Sequence, residues 1–175
     1  MQRTQQVLRL TALAGVILVM TNCTYQAALQ RLTPQEQSEF RAFSKIMSST
    51  QVHTYLKNAT PAGRVNYLRE IGAAQRFQAL DAQDRESVLA GFIRKGMSAE
   101  AMYFLWGEPF YTIGYTGHYE HWYYQGSSFS LAEYGNQPSD SGTVVEVYLI
   151  DGRVAWWLET VPTDIEDSGE GSRRP

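Results

Sequence analysis

Residues 143–159 read TVVEVYLIDGRVAWWLE, and this stretch narrows the possible folds more than any other. Two runs rich in β-branched and aromatic residues flank Asp151-Gly152. Both of these residues tolerate positive φ, which a two-residue primed hairpin turn requires. Counting outward from that turn, Ile150 faces Arg153, Leu149 faces Val154, Val147 faces Trp156 and Val145 faces Leu158. The last three pairs are apolar, and alternation places them on one face. The opposite face then carries Glu146, Tyr148, Arg153, Trp157 and Glu159. This register predicts Trp156 in the core against a helix over 98–106, with Trp157 pointing the other way.

The rest of the C-terminal half agrees with a sheet. Fifteen of the 22 aromatic residues fall between Tyr103 and Trp157, so the aromatic weight lies where strands are expected. HYEHWYYQ (118–125) reads as a strand. AEYGNQPSDSG (132–142) reads as a polar connection between strands. Residues 163–175 have little to bury and are expected to be disordered.

Residues 24–95 read instead as short amphipathic helices. LTPQE supplies Thr33 as cap, Pro34 in the first turn and Glu36 to complete a capping box. That helix is expected to run to about Met47 with Phe40, Phe43, Ile46 and Met47 on one stripe. Ser48 and Gln51 have the spacing of a second capping box. Thr60 and Pro61 open a third helix, which Gly72 stops. Asp81 caps a last helix ending near Gly96, with Val88, Leu89, Phe92 and Ile93 as its stripe. Each is too short to persist alone, so all must pack on something.

Between the two halves lies GMSAEAMYFLWGEP (96–109). Ser98 caps a helix, and Glu100 in its first turn suits the helix dipole. Met97, Ala101, Phe104 and Leu105 form its inward stripe. Gly107 fits a left-handed stop, and Pro109 blocks continuation. The glycines are therefore punctuation, since their spacing matches no nucleotide-binding loop.

GMS-x-E-x(5)-WGEP, followed by HWYY and a strand hairpin, resembles the small outer-membrane lipoprotein domain of the BamE (SmpA/OmlA) type over about residues 90–160. The resemblance implies a compact α+β unit with a helix packed on a small antiparallel sheet. It implies a non-enzymatic protein-binding role in outer-membrane assembly or envelope maintenance, with a β-barrel assembly component as partner. A secreted inhibitor-like binding protein of the same helix-on-sheet plan is the alternative, and an envelope hydrolase stands third. The expected organisation is a signal peptide over 1–22, a helical segment over 23–95, an α+β domain over 96–162 and a tail over 163–175.

The N-terminus points to the same compartment. MQRTQQVLR carries Arg3 and Arg9 and no acid, LTALAGVILVM is apolar, and TNC follows. This is the plan of a secretory signal. The apolar run is too short to span a bilayer, which takes roughly 20 helical residues. Cys23 is the only cysteine and sits directly after that run. The arrangement resembles a bacterial lipoprotein signal, which implies acylation of Cys23 and a membrane attachment through lipid. Removal of residues 1–22 lowers the basic residues from 15 to 13 against 18 acids, so a net charge of −3 becomes −5. No basic run suggests a nucleic-acid partner.

No cofactor and no metal site are expected. On a strand, His118 and Glu120 share a face while His121 points away, so HYEH does not converge on a cation. No nucleophile elbow is present. The candidate binding face comprises Trp122, Tyr124, Tyr148 and Trp157. Two outcomes are open for the mixed side of the hairpin. Either the helices of 24–90 fold back over it as a second core layer, or it is a partner surface anchored by Trp and Tyr.

Overall fold

The computed structural model describes residues 25–115, 118–136 and 142–161. Cys23, the signal segment 1–22 and the tail 163–175 lie outside the described residues. A helical turn over 25–29 leads into six helices: α1 (Pro34–Ser44), α2 (Ser49–Lys57), α3 (Pro61–Glu70), α4 (Ala73–Ala79), α5 (Ala82–Ala90) and α6 (Ala99–Trp106). Then come β1 (Tyr111–Tyr115), β2 (Tyr119–Gln125), α7 (Ser128–Tyr134), β3 (Val144–Ile150) and β4 (Arg153–Thr160). The four strands form one antiparallel sheet in the order β1-β2-β3-β4, so the chain is α+β.

The helix starts follow the capping residues. Thr33 and Glu36 make a reciprocal capping box on α1, and Ser48 and Gln51 make one on α2. Thr60 accepts from the Gly63 N–H, Asp81 from Asp84 and Ser98 from Ala101. The helix ends follow the sequence less closely. α1 stops at Ser44, short of Met47. α5 stops at Ala90 rather than near Gly96, because Gly91 already adopts a left-handed φ of 79°. Phe92, expected on the buried stripe, is consequently 72% exposed. Gly107 has φ 83° but ψ −163°, so α6 leaves into extended chain rather than a left-handed turn. Two helices had no clear sequence mark. α4 begins directly after Gly72. α7, capped by Ser127, takes up the start of the stretch expected to be a connection.

α6 is the centre of the molecule. Met97, Ala101, Met102, Phe104, Leu105 and Trp106 are all buried, as in a helix enclosed on every side. On one side Trp106 meets Tyr124 of β2 at 5.2 Å between ring centroids, and Tyr103 meets Trp122 at 5.2 Å. On the other side Phe104 meets Phe43 of α1 at 5.8 Å and Phe77 of α4 at 5.4 Å. The N-terminal helices therefore cover the back of α6, not the outer face of the sheet. Helices and sheet share one continuous core.

The hairpin turn is as expected, with Asp151 at φ 52° and Gly152 at φ 69°. Ile150 pairs with Arg153 and Leu149 with Val154. The register then slips, so that Tyr148 pairs with Trp156, Val147 with Trp157 and Glu146 with Leu158. Ala155 is the extra residue of a β-bulge, and beyond it every β4 side chain changes face. Trp156 is thus not in the core against α6. It is 49% exposed on the outer face, while Trp157 turns to the inner side at the sheet edge.

Candidate functional site

The outer face of the sheet carries a row of rings across all four strands. Tyr111 of β1 meets Tyr123 of β2 at 5.6 Å, and Tyr123 meets His121 at 4.1 Å. His121 stacks on Tyr148 of β3 at 3.8 Å, and Tyr148 stacks on Trp156 of β4 at 3.7 Å with 10° between the rings. The inner rings of the row have each other on their faces, so their edges meet the solvent. His121 is only 8% exposed although it lies on the open side, because Tyr123 and Tyr148 flank it. Its Nδ1 lies 2.9 Å from the Tyr123 hydroxyl. Its Nε2 lies 3.0 Å from the Glu146 carboxylate, off the line of a hydrogen bond. The Tyr148 hydroxyl donates to the same Glu146 at 3.1 Å.

The four residues expected to form one binding face are divided. Trp122 and Tyr124 are buried on the inner face under α6. Tyr148 is on the outer face, and Trp157 is on the inner side of β4, beyond the bulge. Tyr111, His121, Tyr123 and Trp156 are the residues that join Tyr148. His121 and Tyr123 were readable by alternation within β2. Trp156 was not, because a bulge leaves a period-two pattern unchanged to the eye.

β4 is an edge strand. At its start Val154 donates to the Met97 carbonyl at 2.8 Å and accepts from the Gly96 N–H at 2.7 Å, so residues 96–97 shield that end. From Ala155 onward its outer side has no strand beside it among the described residues. Trp156, Trp157 and Leu158 are all exposed on this unshielded part.

A second concavity lies on the helical side. An open cleft of about 1400 Å³ runs between α2 and the C-terminal ends of α6 and α7. Ser49, Val52, His53 and Leu56 face it from α2 at helical spacing. Trp106 stands in the opposite wall, and its indole N–H has no partner among the described residues. Lys45 also lines the cleft and donates to the Glu133 carbonyl at 2.7 Å. Burial pulls the Lys45 amine down to about 8, with Glu133 opposing the shift and Arg41 adding to it. The lysine stem passes so close to Gly135 that a Cβ there would fall 2.9 Å from Lys45 Cδ.

Asp84 is a buried acid that sequence reading passed over. It accepts from the Ser98 N–H at 3.1 Å and from the Ser98 hydroxyl at 2.6 Å, and pairs with Arg94. This node ties α5 to the start of α6 and is structural. His118 and Asp151 pair at 2.8 Å on the exposed turn side. Among the described residues no cluster of His, Cys, Asp and Glu could hold a metal, and no helix is long and apolar enough to cross a membrane.

Comparisons with protein-family models, curated proteins and solved structures give no match to this chain.

Proposed function

We propose that this chain is a non-enzymatic lipoprotein of the bacterial cell envelope, held by an acyl group on Cys23 and binding a protein partner along the β4 edge. The observation that supports the partner surface is Trp156-Trp157-Leu158, exposed on an edge strand that has no strand on its outer side among the described residues. Soluble proteins commonly protect such an edge with Lys, Pro or a covering element. β4 beyond Ala155 has no Lys or Pro within the strand. The partner chemistry that fits is an extended segment with apolar side chains, adding main-chain hydrogen bonds while Trp156 and Trp157 serve as anchors on the two faces. The resemblance to the BamE-type domain supplies the setting, which is β-barrel assembly or envelope maintenance at the outer membrane, facing the periplasm.

Two measurements test the two halves of this reading. Cys23→Ser should move the protein from the detergent phase to the aqueous phase, because the remaining body is acidic and acyl chains supply the attachment. Trp157→Glu should abolish recovery of the partner from detergent-solubilised envelopes while thermal unfolding stays close to that of the parent. Identical sets of recovered proteins from parent and variant would remove β4 as the docking edge.

A further inference from the structure

α2 turns one face to the cleft beside it. Ser49, Val52, His53, Leu56 and Lys57 recur there at helical spacing, so Val52 and Leu56 lie on one line between the two ends of the helix. Lys57 closes α2, and Lys45 stands four residues before its start, so the two lysines bracket that line. Both line the cleft together with Arg31, and none of the three has a carboxylate within ion-pair distance among the described residues. Arg76 is there too, already paired with Glu100 at 2.8 Å. Glu108 is the one acid in the lining. The cationic surplus is local, since the whole chain carries a net charge of −3. Burial disfavours the Lys45 ammonium, and a carboxylate brought to it from outside would relieve that cost.

Size and spacing decide the class of occupant. A volume of about 1400 Å³ exceeds the roughly 300–1,000 Å³ of ordinary small-molecule pockets, and the cleft is open, so an extended chain fits it better than an enclosed small ligand. Ser49 to Lys57 spans about 12 Å along the helix axis. Four residues of extended chain span about 13 Å, and positions i, i+2 and i+4 of such a chain point to the same side. An acid at i then falls towards the Lys45 end and an acid at i+4 towards Lys57. The side chain at i+2 falls over Val52 and Leu56, which lie about 4.5 and 10.5 Å along the same axis. An aliphatic residue suits that place. A bilayer surface is flat and would meet the rim of the cleft rather than these two side chains inside it.

We propose that this cleft docks an extended segment of a partner protein with the pattern acid-x-aliphatic-x-acid. Its carboxylates meet Lys45 and Lys57, and the aliphatic side chain between them rests on Val52 and Leu56. The docking depends neither on an acyl anchor nor on a partner at β4, so it stands or falls separately from both.

The test uses the isotope-labelled full chain in a nonionic detergent and a synthetic peptide containing Glu-Ser-Leu-Ser-Glu. On titration, backbone amide shifts should appear in α2 and around Gly107 and Glu108, and not in β4. A peptide of the same composition with its two glutamates adjacent should bind about fivefold more weakly, since it can form only one of the two pairs. Lys57→Glu should weaken binding of the first peptide about tenfold, because an attractive pair becomes a repulsive one. Lys57 is exposed, so the change spares the packed core. Trp157→Glu should leave the affinity unchanged, which separates this site from the β4 edge. Molar salt should remove most of the binding. Equal affinity of the parent for the two peptides overturns the proposal, as does the absence of any shift at millimolar peptide. Shifts in α2 caused by adding phosphatidylglycerol to the micelles, but not by the peptide, also overturn it and assign the cleft to a lipid headgroup. Shifts in α2 that grow with protein concentration in the absence of peptide overturn it in favour of a second copy of the chain.

Discussion

Lys45 shows how one residue can reveal the difference between a structural seat and a free charge. Its stem is threaded past Gly135, its amine is capped by a carbonyl, and burial disfavours its ammonium form. An amine whose folded pKa is lowered to about 8 penalises the folded state wherever it must stay charged. That penalty is fully present below pH 8 and is relieved as pH rises from about 8 towards the unfolded value of 10.5. Its size is about 2 kcal/mol after allowance for partial exposure, against about 1 kcal/mol for the hydrogen bond to Glu133. Lys45→Met should be more stable than the parent by about 1 kcal/mol at pH 7. The gap should close or reverse by pH 9.5, which urea unfolding at the two pH values measures. A pH-independent gap would mean that the amine is solvated. Asp84 is the opposite case, a buried acid that is fully engaged. Asp84→Ala leaves Arg94 without its main partner and the Ser98 N–H without an acceptor, so it should cost about 3–5 kcal/mol in the same assay. Neither role was legible in the sequence, because both depend on contacts between segments rather than on local pattern.

At the scale of elements, legibility followed the range of the interaction. Every N-terminal cap that was read from local spacing formed, because such a cap is made by residues three apart. The α6 stripe of Met97, Ala101, Phe104 and Leu105 is buried as expected. The turn at Asp151-Gly152 was legible for the same reason, and Gly152→Val should cost roughly 1–3 kcal/mol by forcing a β-branched residue to positive φ. The bulge at Ala155 was not legible, since apolar residues stand on both sides of it and either register keeps some of them inside. This reverses the expected fates of the two tryptophans. Trp156→Ala should lose only its stacking on Tyr148, about 1 kcal/mol, whereas Val154→Ala in the core should cost about 2–4 kcal/mol. Chemical denaturation of both variants checks the register. A cost for Trp156→Ala as large as that of a core truncation would restore the unbulged hairpin.

At the scale of the whole molecule, the remaining issue is what the helices of 25–90 are for. A small sheet with one helix buries little apolar surface, and α6 is apolar on the side that faces away from the sheet as well. The earlier helices solve that problem: Phe43, Phe77 and Phe104 form a ring cluster with centroids 5.3 to 5.8 Å apart, on the side of α6 opposite Trp106 and Tyr124. The same arrangement leaves the outer sheet face without a covering layer among the described residues, because these helices are engaged on α6. Sequence pattern showed that these helices had to pack on something, but not on which side. If α6 is a shared middle layer, the helices cannot detach without exposing it, and helical and sheet portions should unfold together. Far-ultraviolet circular dichroism, dominated by the helices, and tryptophan fluorescence, reporting all four indoles of residues 103–157, should give one coincident transition. Phe104→Ala removes the ring that joins the layers and should lower both signals in step, by about 3–5 kcal/mol. Helical signal lost well before the fluorescence changes, in the parent or in Phe104→Ala, would show that α6 and the sheet hold together alone and that residues 25–90 form a separate unit resting on them.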